Sequence, residues 1–241
     1  MSQILATACV RDTALQPWEE TRLTLCAVNV TSGEPAGFDS RLADRPIKVE
    51  HIMASCALPS GFAPVVIDGA PYWDGSVYSN TPLDIVLDDA ERRNTLCFMV
   101  DLWDASESAP RTLSEAMTRL KDIQFASRSQ EHIDDHTRMQ DLRRAVRLLG
   151  ARLDPAAAVG VTVLRQLVEL RSDHAIDVVH LVMKALPGED AFRDIDFSRA
   201  TLTARWSAGL RDGRRALQRR SWLTPPPEHV GMRVHTLPQD E

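Results

Sequence analysis

The period of the hydrophobic pattern changes near residue 112, and this change divides the chain into two parts. Before it, apolar residues fall in short alternating or continuous runs, which are typical of strands joined by turns and short helices. After it, apolar positions recur mostly at helical spacing over longer stretches. The pattern predicts strands at residues 21–30, 35–39, 64–67, 70–73, 95–102 and 177–185, and helices at residues 47–57, 82–92, 112–148, 155–171 and 198–220.

Turn and cap residues sharpen several of these boundaries. Asp68-Gly69 lies between two β-prone runs and predicts a hairpin with a type I′ turn. Pro71 cannot donate a backbone hydrogen bond, so we expect its strand to be short or at an edge of the sheet. Residues 112–115, TLSE, fit a capping box and begin the long helix. The prolines at 225–227 end the last helix, and we expect only a short tail after them.

Strands in the first part and helices in the second predict an α/β protein with a helical extension. We expect residues 1–110 to form an α/β core and residues 111–241 to form a mostly helical extension that packs on it. Of the 241 residues 44% are hydrophobic and 26% charged, which suits a soluble globular protein. No run approaches the roughly 18 apolar residues of a membrane span, and the first residues do not resemble a secretory signal. Cys26 and Cys97 lie in apolar runs, which indicates buried thiols in a reducing compartment, so we expect a cytoplasmic protein.

The charge balance argues against one class of partner. A formal net charge of −6 at pH 7 gives no bulk attraction to nucleic acid, and we expect no nucleic-acid partner. Two arginine-rich stretches interrupt this acidic balance, Arg143-Arg144 and the stretch from Arg214 to Arg220. Both lie in predicted helices that also contain acids, so we interpret them as solvated helix faces, with a basic docking site as the alternative.

Histidine and serine residues of the predicted helices offer two weaker candidate sites. His132 and His136 are four residues apart, as in some zinc sites, but Ile133 stands where the metalloprotease motif has glutamate. We therefore interpret both as part of a polar exposed face and predict no metal and no cofactor. Ser207 lies in residues 205–209, RWSAG, which lack the first glycine of a nucleophile elbow. We interpret it as a helix-face serine beside a buried tryptophan.

The strongest chemical signal is residues 72–76, YWDGS, directly after the predicted hairpin. A carboxylate followed by glycine at a strand end is suited to present a base, because Gly75 lets a neighbouring backbone approach closely. A free aspartate with a pKa of about 3.9 is a weak base and acts only when it is buried beside its partner. We therefore expect Asp74 to be at least half buried at a strand end, and Asn80 to hold the following loop through its own backbone.

This segment resembles the aspartate-bearing block of the patatin-like phospholipases. Four submotifs follow the order and spacing of that family: residues 54–59 (ASCALP), 61–65 (GFAPV), 74–76 (DGS) and 80–82 (NTP). Ser76 stands where the family has glycine or alanine. Further matches resemble the C-terminal extension of one bacterial branch of the family, a domain of unknown function; they lie at residues 101–103, 119–128 and 196–199.

The resemblance implies a patatin-like three-layer α/β core, of which this chain carries the later part of the sheet, with a helical C-terminal extension. It also implies a lipid acyl hydrolase of the serine-esterase type. In such an enzyme Asp74 is the proton acceptor of a Ser-Asp dyad, and the supporting motif consists of Gly75, Ser76, Asn80 and Pro82. The implied substrate is a lipid or another acyl ester, with peripheral membrane contact and without a cofactor.

We do not find the serine nucleophile that the resemblance implies. The Gly-x-Ser-x-Gly elbow and the glycine-rich oxyanion loop of the family do not occur before residue 51. We therefore interpret the sequence as an N-terminally incomplete chain that retains only the aspartate of the dyad. The sheet edge left uncovered in such a chain favours self-association or the binding of a partner. The alternative is a non-catalytic remnant or a protein-interaction module of the same fold.

We expect the purified chain alone to hydrolyse p-nitrophenyl esters no faster than background, because no serine before Asp74 occupies an elbow motif. The measurement is p-nitrophenolate release, with Asp74→Asn as the matched variant. Turnover above background that disappears in Asp74→Asn would contradict the prediction.

Overall fold

The computed structural model describes residues 21–42, 46–59, 61–87, 93–106, 109–152, 171–186, 189 and 196–237. Within these ranges the chain is a mixed α/β protein, as predicted. The strands are β1 (Thr24–Asn29), β2 (Pro35–Asp39), β3 (Val65–Ile67), β4 (Ala70–Asp74), β5 (Thr95–Asp101), β6 (Ile176–Val182) and β7 (Met232–Thr236). The helices are α1 (Val49–Ser55), α2 (Asp84–Leu87), α3 (Leu113–Gly150) and α4 (Arg199–Arg219), with short 3-10 helices at Gly75–Val77 and Ser221–Leu223.

The first sheet is antiparallel, with the strand order β2-β1-β4-β3. Helix α1 packs against it, and Ala27, Ala54 and Ile67 form a buried cluster between helix and strands. Ala27 of β1 is paired with Asp74 of β4, and paired residues of an antiparallel sheet point to the same face. Asp74 therefore lies on the face that α1 covers.

The β3–β4 hairpin confirms the predicted turn and, of the two alternatives expected for the strand of Pro71, the short strand. Asp68 and Gly69 have φ angles of 50° and 82°, the left-handed pair that a type I′ turn requires. The strand that contains Pro71 is short, but it lies between β1 and β3 rather than at an edge. The sheet tolerates the proline because β1 pairs with β4 only as far as Tyr72, and the Pro71 carbonyl accepts from the Val30 N–H at 2.9 Å.

The second sheet is parallel, with the order β5-β6-β7. It joins a strand that precedes residue 110 to two strands that follow it, so the expected core and extension share this sheet. Its buried cluster also includes side chains of α2 and α3, and the members are Leu83, Leu87, Cys97, Met99, Ile133, Ile176, Val178 and Met232.

The expectation of a short tail after the prolines is wrong. Residues 232–236, MRVHT, form β7, which pairs in parallel with β6 from Met232 to Thr236. The physical reason is alternation along the strand, since Met232 is buried and Val234 packs on the same cluster while Arg233 points to polar partners. A period-two pattern of only five residues was too short to distinguish from a tail.

The capped helices begin where the sequence predicts. Thr112 and Glu115 form the capping box of α3, and Ser198 accepts from the Thr201 N–H at the start of α4. The α4 helix ends at Arg219 and is capped by Arg220, whose φ of 45° is left-handed. The helix expected over 155–171 falls almost wholly outside the described ranges, as does the end of the one expected over 82–92.

Helix α3 meets the start of β7 without intervening side chains. A Cβ atom on Gly231 would collide with the backbone carbonyl of Gln140, so only glycine permits this approach. The Gly231 N–H donates to Asp141 Oδ1 at 2.8 Å, and Arg144 donates to the carbonyl of Glu228 at 2.8 Å. Arg144 is therefore bound to the segment before β7 and does not belong to a solvated face.

We expect Gly231→Ala to lower the free energy of unfolding by about 1–3 kcal/mol, because the added methyl group overpacks a backbone contact. The matched control is Gly209→Ala in α4, where an added Cβ meets no atom within 4 Å. That control should stabilise the chain by up to about 1 kcal/mol through helix propensity. Urea unfolding of both variants tests this, and equal midpoints would refute it.

Candidate active site

Asp74 is the last residue of β4 and is only 5% exposed, which confirms the expected burial at a strand end. Its backbone is held on two sides. The Asp74 N–H donates to the carbonyl of Ala57 at 3.0 Å, just after α1, and the residue pairs with Ala27 of β1 on the other side. The position of this carboxyl group therefore depends on the sheet and on the chain segment that leaves α1.

Gly75 follows the aspartate and performs the role predicted for it. A Cβ atom here would lie 2.7 Å from the carbonyl carbon and oxygen of Cys26 and 2.8 Å from its Cβ. These distances are well inside van der Waals contact, so no other residue type fits without displacing β1. The backbone that approaches the motif is thus that of Cys26.

The carboxylate of Asp74 is oriented by the turn that it caps. Its Oδ1 accepts from the Ser76 N–H at 2.8 Å, at the start of the 3-10 helix Gly75–Val77. A hydrogen bond from a backbone amide favours the charged form of a carboxylate. Since the donor is the backbone, the third motif position needs no particular side chain, which explains why Ser76 serves there.

A half-buried thiol lies beside the carboxylate. Burial, and next the negative charge of Asp74, raise the pKa of Cys26 from 9.0 to about 11. The thiolate is the nucleophilic form of cysteine, so at neutral pH Cys26 is almost wholly the unreactive thiol. Cys26 is therefore a poor nucleophile at neutral pH.

The loop after Asp74 packs on α3 through small polar side chains. Ser79, Asn80 and Thr81 are all buried, between 3% and 9% exposed. Thr81 Oγ1 donates to Ser129 Oγ at 3.1 Å, and Ser79 Oγ lies 3.5 Å from His132 Nδ1. The loop after Asp74 and the long helix consequently form one polar interface.

The interpretation of His132 and His136 as a polar exposed face is wrong. His136 Nε2 contacts Asp84 Oδ1 at the start of α2, and His132 Nδ1 faces Ser79 Oγ. The four-residue spacing places both rings against the same loop instead of in solvent. Across the described ranges, no group of three or more His, Cys, Asp or Glu side chains is arranged to hold a metal ion.

Asn80 does not hold the loop in the predicted way. Both polar atoms of its amide are buried, and neither has a hydrogen-bond partner. The turn is held by the N–H groups of Tyr78 and Ser79, which both donate to the Gly75 carbonyl at 3.0 Å. Pro82 follows in the segment that enters α2, where its carbonyl accepts from the Ile85 N–H at 3.3 Å. An unsatisfied buried amide costs about 1–3 kcal/mol per group and so marks a place where a partner is expected.

Ser207 lies on the exposed side of α4, as predicted for a helix-face serine. Its Oγ donates to the carbonyl of Thr203 at 2.9 Å, which is an ordinary contact within a helix. The neighbouring Trp206, however, is 77% exposed, so the expectation of a buried tryptophan is wrong. The helix turns its partly buried side, which includes Arg205 and Ala216, towards the protein instead.

Three residues far apart in the sequence form a Ser-His-Asp chain that sequence patterns did not reveal. Ser221 Oγ lies 2.8 Å from His235 Nδ1, and His235 Nε2 lies 2.7 Å from Asp177 Oδ1. The same Oδ1 also accepts from Arg233 at 2.7 Å, and the serine faces the ring nitrogen opposite to the one that a catalytic triad uses. We interpret this series of hydrogen bonds as structural, because it fixes the Ser221–Leu223 turn to β7 and β6.

Comparison with known families gives findings on both parts of the chain. A family model described as Patatin-like phospholipase matches residues 12–87, and a model for a domain of unknown function, described as Patatin phospholipase, matches residues 123–229. The first match contains Asp74 and its loop, and the second contains the part of α3 that contacts this loop. No curated protein shows significant similarity to the chain.

We expect iodoacetamide to alkylate Cys26 at pH 8 about 100-fold more slowly than an ordinary thiol, because a pKa of about 11 instead of 9.0 leaves about 100-fold less thiolate. Asp74→Asn should speed alkylation by removing one cause of the raised pKa. The rate is followed by mass spectrometry of the Cys26 peptide between pH 7 and pH 11. Asp68→Asn in the exposed hairpin turn is the control, and an Asp74→Asn profile equal to it would refute the assigned proximity.

Proposed function

We propose that this chain, which belongs to the patatin-like phospholipase family, carries the aspartate half of a serine-type hydrolase that cleaves acyl esters of lipids. The observation that carries the proposal is the buried carboxylate of Asp74, fixed at a strand end and oriented by the Ser76 N–H. In a Ser-Asp dyad this carboxylate accepts the proton of the serine hydroxyl while the serine oxygen attacks the ester carbonyl. Backbone amides then stabilise the oxyanion that forms.

The surroundings of Asp74 suit such a base. Exclusion of water strengthens the interaction between a carboxylate and a hydroxyl partner, because the local dielectric is lower than that of bulk water. The contact of Gly75 with Cys26 keeps the strand end in place, so the carboxylate need not reorganise during proton transfer. The proposal thus assigns Asp74 the catalytic proton transfer and assigns Gly75 and Ser76 its positioning.

The nucleophilic serine, in this proposal, comes from residues outside the given sequence, in the same polypeptide or in a second one. Two observations support an incomplete site. The amide of Asn80 is buried without a partner, and within the described strands β5 pairs on one side only, with β6. We propose that the segment that brings the serine also satisfies Asn80 and covers the β5 edge. Without that segment the same edge favours self-association.

A non-catalytic interaction module of the same fold is the second candidate. It is favoured by the contacts that close α3 over the loop after Asp74, namely Thr81 with Ser129 and Asp84 with His136. A loop held by a long helix suits a rigid scaffold as well as an active site. The complementation experiment below separates the two candidates.

We expect the chain, co-expressed with a nucleophile-bearing N-terminal fragment of a patatin-like phospholipase, to hydrolyse p-nitrophenyl butyrate. Asp74→Asn should lower this activity by about 10²–10⁴-fold, the usual contribution of a general base. Asp68→Asn, at an exposed turn, should leave it unchanged.

A fluorophosphonate probe provides the second readout in this experiment, because it should label the serine of the added fragment only. Activity that persists in Asp74→Asn would overturn the assigned role. A complex without any turnover would support the interaction module.

A further inference from the structure

Helix α4 leaves a stripe of large apolar side chains uncovered. Leu202, Trp206, Leu210 and Leu217 are 45%, 77%, 45% and 52% exposed. Their spacing of four, four and seven residues places all of them on one side of a helix. Ala216, which is 2% exposed, lies on the adjoining side of the helix, which packs on the protein. The exposed fractions place the stripe at the surface of the described structure.

The charge of α4 is opposite to that of the chain. Its 21 residues contain six arginines and one acidic residue, in a protein whose formal net charge is −6. Arg205 pairs with Glu189. Four further arginines of the helix are exposed, namely Arg199, Arg211, Arg214 and Arg219. Of these, Arg199 and Arg214 lie on the side of the stripe. The apolar surface is thus bordered by positive charge.

We propose that α4 binds the surface of an anionic phospholipid membrane. The helix would lie in the interface plane, with Trp206 and its neighbouring leucines at the boundary of headgroups and acyl chains, and with the arginines on lipid phosphates. Amphipathic helices with a basic polar face and a Trp/Leu face bind membranes in this way. Tryptophan also favours the interface. No helix of the described residues has the length and hydrophobicity of a membrane span, so α4 lies on the bilayer.

The charge argues against two other occupants of such a stripe. A symmetric dimer through α4 would bring two arginine-bordered faces together, and like charges in a contact are unfavourable. A nucleic acid would neutralise the arginines but would leave the leucines in water, because bases stack on aromatic rings rather than on aliphatic side chains. Anionic lipid matches both the apolar and the cationic part of the surface.

This inference rests on the proposed function for its biological meaning, since a hydrolase of lipid esters needs access to a lipid surface. For Arg214, the solvated-face interpretation is replaced here by its alternative, a basic docking site. Vesicle binding is measured without turnover, and Asp74→Asn should bind vesicles as the unchanged chain does. Failure of membrane binding and failure of catalysis are therefore distinguishable.

The test is co-sedimentation of the full chain with two kinds of vesicle, phosphatidylcholine alone and phosphatidylcholine mixed roughly three to one with phosphatidylglycerol. We expect binding to the anionic vesicles, weakening as salt is added. The variants Trp206→Gln with Leu210→Gln, and Arg199→Gln with Arg214→Gln, should each weaken binding by about tenfold or more. Because all four side chains are exposed, both variants should keep the fold, which circular dichroism checks.

Matched controls come from α3, whose exposed Leu149 and Arg138 lie outside the stripe. Leu149→Gln and Arg138→Gln should bind as the unchanged chain does. Trp206→Phe should keep binding but remove most of the blue shift in tryptophan emission. Equal binding by the α4 and α3 variants would overturn the proposal. So would an absence of binding to anionic vesicles, or a dimer in solution that depends on Trp206.

Discussion

The close approach of two backbones at Gly75 is the constraint on which the candidate site depends. A side chain at this position would lie 2.7 Å from the carbonyl of Cys26, so β1 and β4 meet here only because the residue is glycine. The contact determines where β4 ends and where the 3-10 turn begins, and the turn brings the Ser76 N–H to the carboxylate of Asp74. One residue without a side chain therefore sets the direction of a charged group next to it.

Helix α3 connects this site to the parallel sheet. The middle of α3 contacts the loop after Asp74 through Ser129 and the start of α2 through His136. Further along the helix, Gln140 meets Gly231 at the start of β7. Both contacts use small or polar groups at short range, so neither tolerates a large shift of the helix. Helix α3 consequently holds together the two segments that separate family models match. The position of the loop after Asp74 depends on residues 48 to 53 positions later.

Local signals predicted local structure well. Asp68-Gly69 identified the type I′ turn, and the capping residues Thr112 and Ser198 identified the starts of α3 and α4, because these signals act within a few residues. Pairing between distant segments was not predictable in this way. The central position of Pro71, the partners of His136 and the Ser221–His235–Asp177 chain all depend on which segments meet in the fold. Asp74 was identified because its motif is contiguous, whereas its oriented hydrogen bond required the turn geometry.

Asp74 is buried from water, whereas the apolar stripe of α4 is exposed to it. Burial removes hydration from a carboxylate, and here the cost is offset by a backbone hydrogen bond. Burial of apolar surface contributes roughly 25 cal/mol of favourable free energy per Å². The α4 stripe lacks this contribution while it is in water and gains it when another apolar phase covers it. The bordering arginines require that this phase carry negative charge. Since the chain as a whole is acidic, an anionic surface would attract α4 and repel the remainder, and this asymmetry would orient the protein with α4 against the lipid.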